Sequence, residues 1–203
     1  MRVTAIKAQI KNTERVSIHV DGSYAFSLTQ SQLLELKLFT GKELTEAELE
    51  ELKAASDYGK LLERVMNYVM IRPRSVREVR DYLWRKKADP TIAQDLIDKL
   101  LARGYLNDAS FAGSWVRARQ LTKPVSKRRL TAELQQKGVK SDLIEQAIAT
   151  DEYDEAHALR EIITKKRKIV RYQDEQKLMQ YLARQGFGYD LIKSTLADMS
   201  EPA

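Results

Sequence analysis

Two histidines, His19 and His157, are the only imidazoles in 203 residues, and the chain has no cysteine. Disulfides, thiol nucleophiles and cysteine-ligated zinc are thereby excluded, and the histidines stand too far apart in sequence to read as a local ligand pair. His19 falls between alternating apolar residues, which places it on the solvent face of a strand; His157, on a helix between acids and apolar residues, reads as surface or half-buried. Acid pairs such as Glu50-Glu51 lie in an acidic helical stretch and read as solvated surface. The sequence contains no GxxxxGKS/T, GxGxxG or HExxH, and no serine motif beside a histidine. The expectation is a protein that is not an enzyme and needs no cofactor or metal.

What the chain has in quantity is positive charge, and the chemistry this offers is recognition of anions. Lys plus Arg total 35 against 29 for Asp plus Glu, a net charge of +6. Arg72, Arg74, Arg77, Arg80, Arg85, Lys86 and Lys87 crowd residues 72–90, with three acids among them. Residues 115–140 hold eight bases, including Lys127, Arg128, Arg129 and Lys137, against the single acid Glu133. A third run is Lys165-Lys166-Arg167-Lys168 with Arg171. Acids collect between these runs, at 43–57 and 142–155, so the modest net charge conceals a banded one. Three basic runs at similar places in a repeating chain would suit a phosphate track or an acidic protein groove. Aromatics accompany them: Tyr82 and Trp84, Trp115, and Tyr172. Phe111 and Ala112 stand four and three residues before Trp115, which predicts a core position for it; Trp84, beside Leu83, is expected to be half exposed.

The elements that position these charges are mostly helices. The exception is the start, where Ile6, Ala8 and Ile10, then Val16, Ile18 and Val20, then Tyr24, Phe26 and Leu28 alternate with polar residues. That period predicts three strands, with Asp21-Gly22 as a tight hairpin turn. A sheet so small must pack on helices or serve as a docking edge. From Leu33 on the period becomes three and four. Thr45 with Glu48 and Ser75 with Glu78 read as capping boxes, and Pro73 divides a helix over about 58–70 from one over 75–87. Further helices are expected over 107–120 and 153–169.

A repeat of about fifty residues then emerges. SKRRLTAELQQKGVKSDLI from Ser126 and DEQKLMQYLARQGFGYDLI from Asp174 share two leucines one turn apart, a glycine, an apolar residue and Asp-Leu-Ile. The leucines form an apolar stripe, glycine ends the helix, the apolar residue covers that end, and aspartate charges the first turn of the following helix. The copy from Ser75 keeps Val79, Leu83 and Asp95-Leu96-Ile97 but has Lys87-Ala88 for the glycine and its partner, with four extra residues before the aspartate. Tyr105, after Gly104, is expected to cover its own unit's core. The fold class is mainly α, three tandem three-helix repeats forming an elongated curved rod, preceded by a small antiparallel β meander. The expected divisions are 1–56 for the β segment and linker helices, then repeats over 57–106, 107–150 and 151–203.

The stretch GYLNDASFAGSWVRARQLTKPVSKRRLTAELQQKGV, with RPRSVREVRDYLWRK before it and LARQGFGYDLIKSTL after it, resembles the RecX family of bacterial regulatory proteins. The resemblance implies a non-enzymatic, usually inhibitory modulator of the RecA recombinase, lodged in the groove of the RecA filament on single-stranded DNA. Filament extension, ATP hydrolysis, strand exchange and LexA cleavage would be its targets. The contact candidates are Arg72, Arg74, Arg77, Arg80, Arg85, Lys127, Arg128, Arg129, Lys137, Lys165, Lys166 and Arg167. Direct binding of nucleic acid without RecA is the alternative, and a helical adaptor for another partner a third. The opening residues have no continuous apolar run, and no later stretch is long enough to span a bilayer, so a cytoplasmic monomer away from membranes is expected.

Overall fold

The computed structural model describes residues 1–10 and 12–200. The chain divides into two compact units, residues 1–71 with 88–92, and residues 72–87 with the chain from 93 on. The first opens with β1 (Val3–Ala8), β2 (Arg15–Val20) and β3 (Ser23–Thr29), an antiparallel sheet in the order β1-β2-β3. Asp21 and Gly22 form the β2–β3 turn with φ of 48° and 84°, the left-handed pair that a two-residue hairpin loop requires. Helix α1 (Gln30–Glu35) and the long α2 (Glu46–Met70) follow, and Val3, Ile18, Phe26 and Leu28 of the sheet pack with Leu38, Leu44, Leu49 and Leu52.

The alternation of apolar residues holds in β2 and breaks in its neighbours. The pairing slips between Val3 and Ala5 in β1 and opposite the Ile18–His19 step, where β3 carries the extra residue Ala25, so Tyr24 turns outward; Ala8, across from Val16, is exposed at the end of β1. Each slip moves the inward set by one residue, since the strand period is two. Ile10 lies past the end of β1 and is 99% exposed. A buried arginine joins sheet to helix: Arg15 donates to the Ser27 carbonyl at 2.9 Å and to the Glu63 carboxylate of α2 at 3.1 Å. Thr45 and Glu48 cap α2 reciprocally, as their spacing predicts. The helix then continues unbroken through the residues before 58. Gly59 is tolerated mid-helix because the Gln32 side chain occupies the place of its missing Cβ, 2.6 Å away.

The second unit contains α3 (Val76–Arg85), α5 (Asp108–Thr122), α6 (Lys127–Gln136), α7 (Ser141–Thr150), α8 (Glu155–Arg167), a 3-10 turn (Val170–Tyr172), α9 (Glu175–Arg184) and α10 (Tyr189–Asp198). Helix α4 (Pro90–Ala102) begins in the first unit and ends in the second. Phe111, Val116, Leu130, Leu134, Val139 and Ile144 form one core, and Leu159, Ile163, Leu178, Leu182, Phe187 and Ile192 form another. The leucine pairs of the repeat are therefore core residues, each contributing about 1.5–3 kcal/mol by burial. Gly138 (φ 80°) and Gly186 (φ 92°) end α6 and α9. The Val139 and Phe187 N–H groups reach back to the Leu134 and Leu182 carbonyls at 3.1 and 3.3 Å, and both side chains are buried over the helix end.

The first repeat departs from the other two in ways its extra residues explain. Lys87 adopts the same left-handed conformation (φ 55°) as the two glycines. The insertion lengthens α4 by about a turn at its start, where Asp89 accepts from the Thr91 N–H at 2.8 Å and Pro90 takes the first position. Asp142 and Asp190 lie in the first turns of α7 and α10 as expected, but Asp95 is inside α4 and pairs with Lys99. Tyr105 does not cover its unit's core; it is 46% exposed, and the next residue, Leu106, is the buried one. The αL residue Gly104 turns the chain so that the second residue after it points inward.

Candidate functional site

The second unit has one local constellation built twice. Ser75 is the N-cap of α3 and Ser126 the N-cap of α6. Each accepts from the backbone N–H three residues on, and each donates its hydroxyl to the last carbonyl of a helix in the following repeat: Ser75 to Lys137 at 2.7 Å, Ser126 to Gln185 at 2.7 Å. The C-terminus of α6 thus meets the N-terminus of α3, and that of α9 meets α6, so opposite ends of the helix dipoles face one another. The first N–H of each receiving helix is held by an acid of the next repeat, Val76 by Asp108 at 2.9 Å and Lys127 by Glu155 at 2.7 Å. Burial pushes the Asp108 carboxyl up, against that hydrogen bond and the nearby Arg80 charge.

An arginine two residues past each serine completes the joint. A Cβ on Gly138 would lie 2.6 Å from the Arg77 Cβ, and one on Gly186 would lie 2.7 Å from the Ser126 Oγ and 3.4 Å from the Arg128 Cβ. Both glycines are thus required twice, by positive φ and by what crosses them. The sequence reading finds the glycines, serines and arginines but not their union, because the partners lie 59–62 residues apart. The signal available was their coincidence at one repeat position.

This geometry sorts the candidate cations. Arg72 holds Glu78 through both nitrogens, at 3.0 and 3.1 Å, and Lys137 reaches the same carboxylate at 2.8 Å. Partial burial pushes the Glu78 carboxyl up, but the hydrogen bonds from Arg72 and Lys137 outweigh it and hold the pKa down to about 2. Arg129 donates to Gln185 at 2.7 Å and approaches Glu133 at 3.6 Å, and Lys165 pairs with Glu161 at 2.8 Å. Lys166 lies 4.7 Å over the Tyr181 ring and 5.6 Å over that of Tyr172. Arg74 is half-buried and Arg80 exposed. Arg77, Arg85, Lys127, Arg128 and Arg167 form no ion pair among the described residues, although the stems of Arg77 and Arg128 belong to the joints. The basic bands are therefore partly self-neutralised and partly free.

The aromatics divide likewise. Trp115 is only half-buried: it packs on Phe111, donates to Glu133 at 3.2 Å and lies under Arg119 and Lys137 at 5.2 and 5.4 Å. Trp84 is 79% exposed, more than its sequence position suggests, and helical spacing puts it on one face of α3 with Arg77 and Arg80. His19 is half-buried and edge-on to Tyr24, and His157 is exposed. No cluster of three or more His, Asp or Glu that could hold a metal is present among the described residues, and no helix among them is long and apolar enough to cross a membrane.

Comparison with known proteins matches this architecture piece by piece. Residues 1–45 match the regulatory protein RecX N-terminal domain, and 62–100, 107–148 and 151–196 match the first, second and third three-helix domains of RecX. A Regulatory protein RecX from Bacillus pumilus is 34% identical over 203 residues, covering 97% of this chain and 76% of the relative. One from Listeria welshimeri is 40% identical over 112 residues, 55% of this chain and 42% of the relative, so that match spans under half of the Listeria protein. Among solved structures, a crystal structure of regulatory protein RecX superposes with a TM-score of 0.74 at 24% identity, covering 97% of this chain and 98% of that one. RecX from Lactobacillus salivarius gives 0.62 at 24% identity over 71% of this chain and 97% of that one.

Proposed function

Because the chain belongs to the RecX family of regulatory proteins, we propose that it is a non-enzymatic negative regulator of the RecA recombinase. On this reading it binds, as a cytoplasmic monomer, in the groove of the RecA filament on single-stranded DNA and limits extension, ATP hydrolysis, strand exchange and LexA cleavage. The observation that carries the reading is the match to RecX along nearly the whole chain. The physical support is the pair of end-to-end joints, which fix the repeats of the second unit at set spacings while leaving cations outside.

An array of this kind can touch several protomers of a polymer at once. Weak contacts then add as avidity, and protomers held together are kept from the rearrangements of turnover, so inhibition requires no chemistry of its own. Arg74, Arg77, Arg80, Arg85, Lys127 and Arg128 are the leading contacts, with Lys166 and Arg167 behind them. Arg72, Arg129, Lys137 and Lys165 contribute less, their charge being shared with Glu78, Glu133 and Glu161. Trp84 is an exposed anchor of the type that dominates interfaces.

The test is a titration of RecA ATPase activity on single-stranded DNA. The protein is expected to lower that activity, and Lys127→Glu with Arg128→Glu to weaken the effect at least several-fold while helical circular dichroism is unchanged. An ATPase rate that saturating protein leaves untouched would overturn the RecA reading, and undiminished inhibition by the variant would remove the start of α6 from the interface.

A further inference from the structure

The two joints enclose recesses at corresponding places; acids largely neutralise the cations of the first and are missing from the second. Alignment of the caps puts Arg72 opposite Lys123, Glu78 opposite Arg129, Glu133 opposite Tyr181 and Arg119 opposite Lys166. The recess beside the first joint has a volume of about 390 Å³, and Arg72, Trp115 and Lys137 line it. Glu78 takes up Arg72 and Lys137 there, and Glu133 takes up Arg119. The recess beside the second joint, about 260 Å³, is lined by Lys123, Arg129, Lys165, Lys166 and Tyr181. Both acids of the first site are replaced in the second, one by an arginine and one by a tyrosine.

That substitution leaves an excess of cations converging from separate elements. Lys123 comes from the segment before α6, Arg129 from α6, and Lys165 and Lys166 from α8. Lys123 is exposed and in no ion pair among the described residues. Arg129 retains one long approach of 3.6 Å to Glu133, and Lys165 one exposed pair with Glu161. Lys166 places its ammonium over the Tyr172 and Tyr181 rings, whose faces neutralise only part of its charge. Donors that arrive from three sides suit a tetrahedral anion, whose oxygens point in several directions, better than a planar carboxylate, whose acceptors share one plane. The volume suits a single charged group with little attached to it.

We infer that the recess bounded by Lys123, Arg129, Lys165 and Lys166 is a phosphate-binding site. The phosphate is either a phosphodiester of a single-stranded nucleic acid or a free phosphate anion. The site goes beyond the filament reading and does not rest on it: its test contains no RecA, so either can fail alone.

The test follows backbone amide shifts of the whole ¹⁵N-labelled protein against three probes: a twelve-residue oligothymidine, inorganic phosphate, and a glutamate-rich peptide of matched charge. Oligothymidine or phosphate is expected to shift the amides of residues 123–129, 165, 166 and 181. Fluorescence anisotropy of the labelled oligonucleotide then reads affinity against salt. Lys123→Gln with Lys165→Gln, both exposed, is expected to weaken binding about tenfold and to flatten the log–log salt slope by about 1.4, while Lys7→Gln on β1 changes neither. Inorganic phosphate that shifts the same amides, is weakened by the same pair of substitutions and competes with the oligonucleotide assigns the site to a free anion; oligonucleotide binding that phosphate does not displace assigns it to the nucleic-acid backbone. Unchanged affinity and slope in the double variant, or shifts at these amides by the peptide alone, would overturn the inference.

Discussion

A single carboxylate shows how one residue type serves two purposes here. Glu78 closes the capping box at the start of α3, which its spacing from Ser75 makes legible, and it also binds Arg72 and Lys137, which no local pattern could disclose. The depressed pKa of about 2 makes this a statement about acid stability. A carboxyl with a lowered folded value contributes stability above its unfolded value near 4.5, and that contribution is lost as pH falls from there through about 2. Glu78→Gln is therefore expected to lower stability at pH 7 by on the order of 2 kcal/mol, discounted for the partly exposed Arg72. Urea unfolding at pH 7, 4.5 and 2.5 checks this: the variant should lose less than the wild type between the last two values. Parallel losses would mean that Glu78 is not the group titrating. Trp84 and Trp115 show the limit of a sequence reading at this scale. Trp115 follows helical apolar spacing and Trp84 stands beside Leu83 of the stripe, yet Trp84 projects outward and Trp115 sits at a rim among charges, because side-chain direction at the edge of a stripe is decided by what packs opposite.

Among the elements, the three left-handed helix ends at corresponding repeat positions carry the plainest lesson. Lys87, Gly138 and Gly186 share one conformation and one repeat position, but Lys87 is exposed whereas both glycines lie under a crossing residue. At Lys87 a side chain costs only the conformational strain of a positive φ, about 1–2 kcal/mol, and the larger backbone entropy of an unfolded glycine offsets part of that. Lys87→Gly is expected to stabilise the protein by up to about 1 kcal/mol. Gly138→Ala is expected to cost more than about 2 kcal/mol, since strain and the Arg77 contact act together. Thermal unfolding of the two variants reads both signs at once, and a Gly138→Ala change as mild as the reverse change at residue 87 would show that Arg77 yields freely. The caps and the helix ends were legible because each is written within a dozen residues, and the repeat because those local patterns recur along the chain. The slipped registers of the sheet were not, for β-bulges depend on the partner strand; nor was the start of α4, whose four extra residues could have made a loop.

Over the second unit as a whole, the joints make a chain of helices whose spacing is set by hydrogen bonds between repeats, and single copies depart from the joint pattern. At the start of α9, Asp174 stands where the other repeats have serine and Gln176 where they have arginine, while Lys87 stands where they have glycine. Coupling through these joints can be separated from charge. Gly186→Ala leaves every lysine and arginine in place but forces the Ser126 hydroxyl off the end of α9. Hydrogen exchange is then expected to show amides of α8 to α10 losing protection while those of α5 and α6 keep theirs, since stability in a repeat array is the sum of intrinsic and nearest-neighbour contributions. If inhibition depends on several contacts held at fixed spacing, as avidity requires, the same variant should need several-fold more protein to inhibit the RecA ATPase despite its intact charge. Full inhibition by a variant whose third repeat has come loose would mean that one repeat suffices, and that the joints serve folding alone.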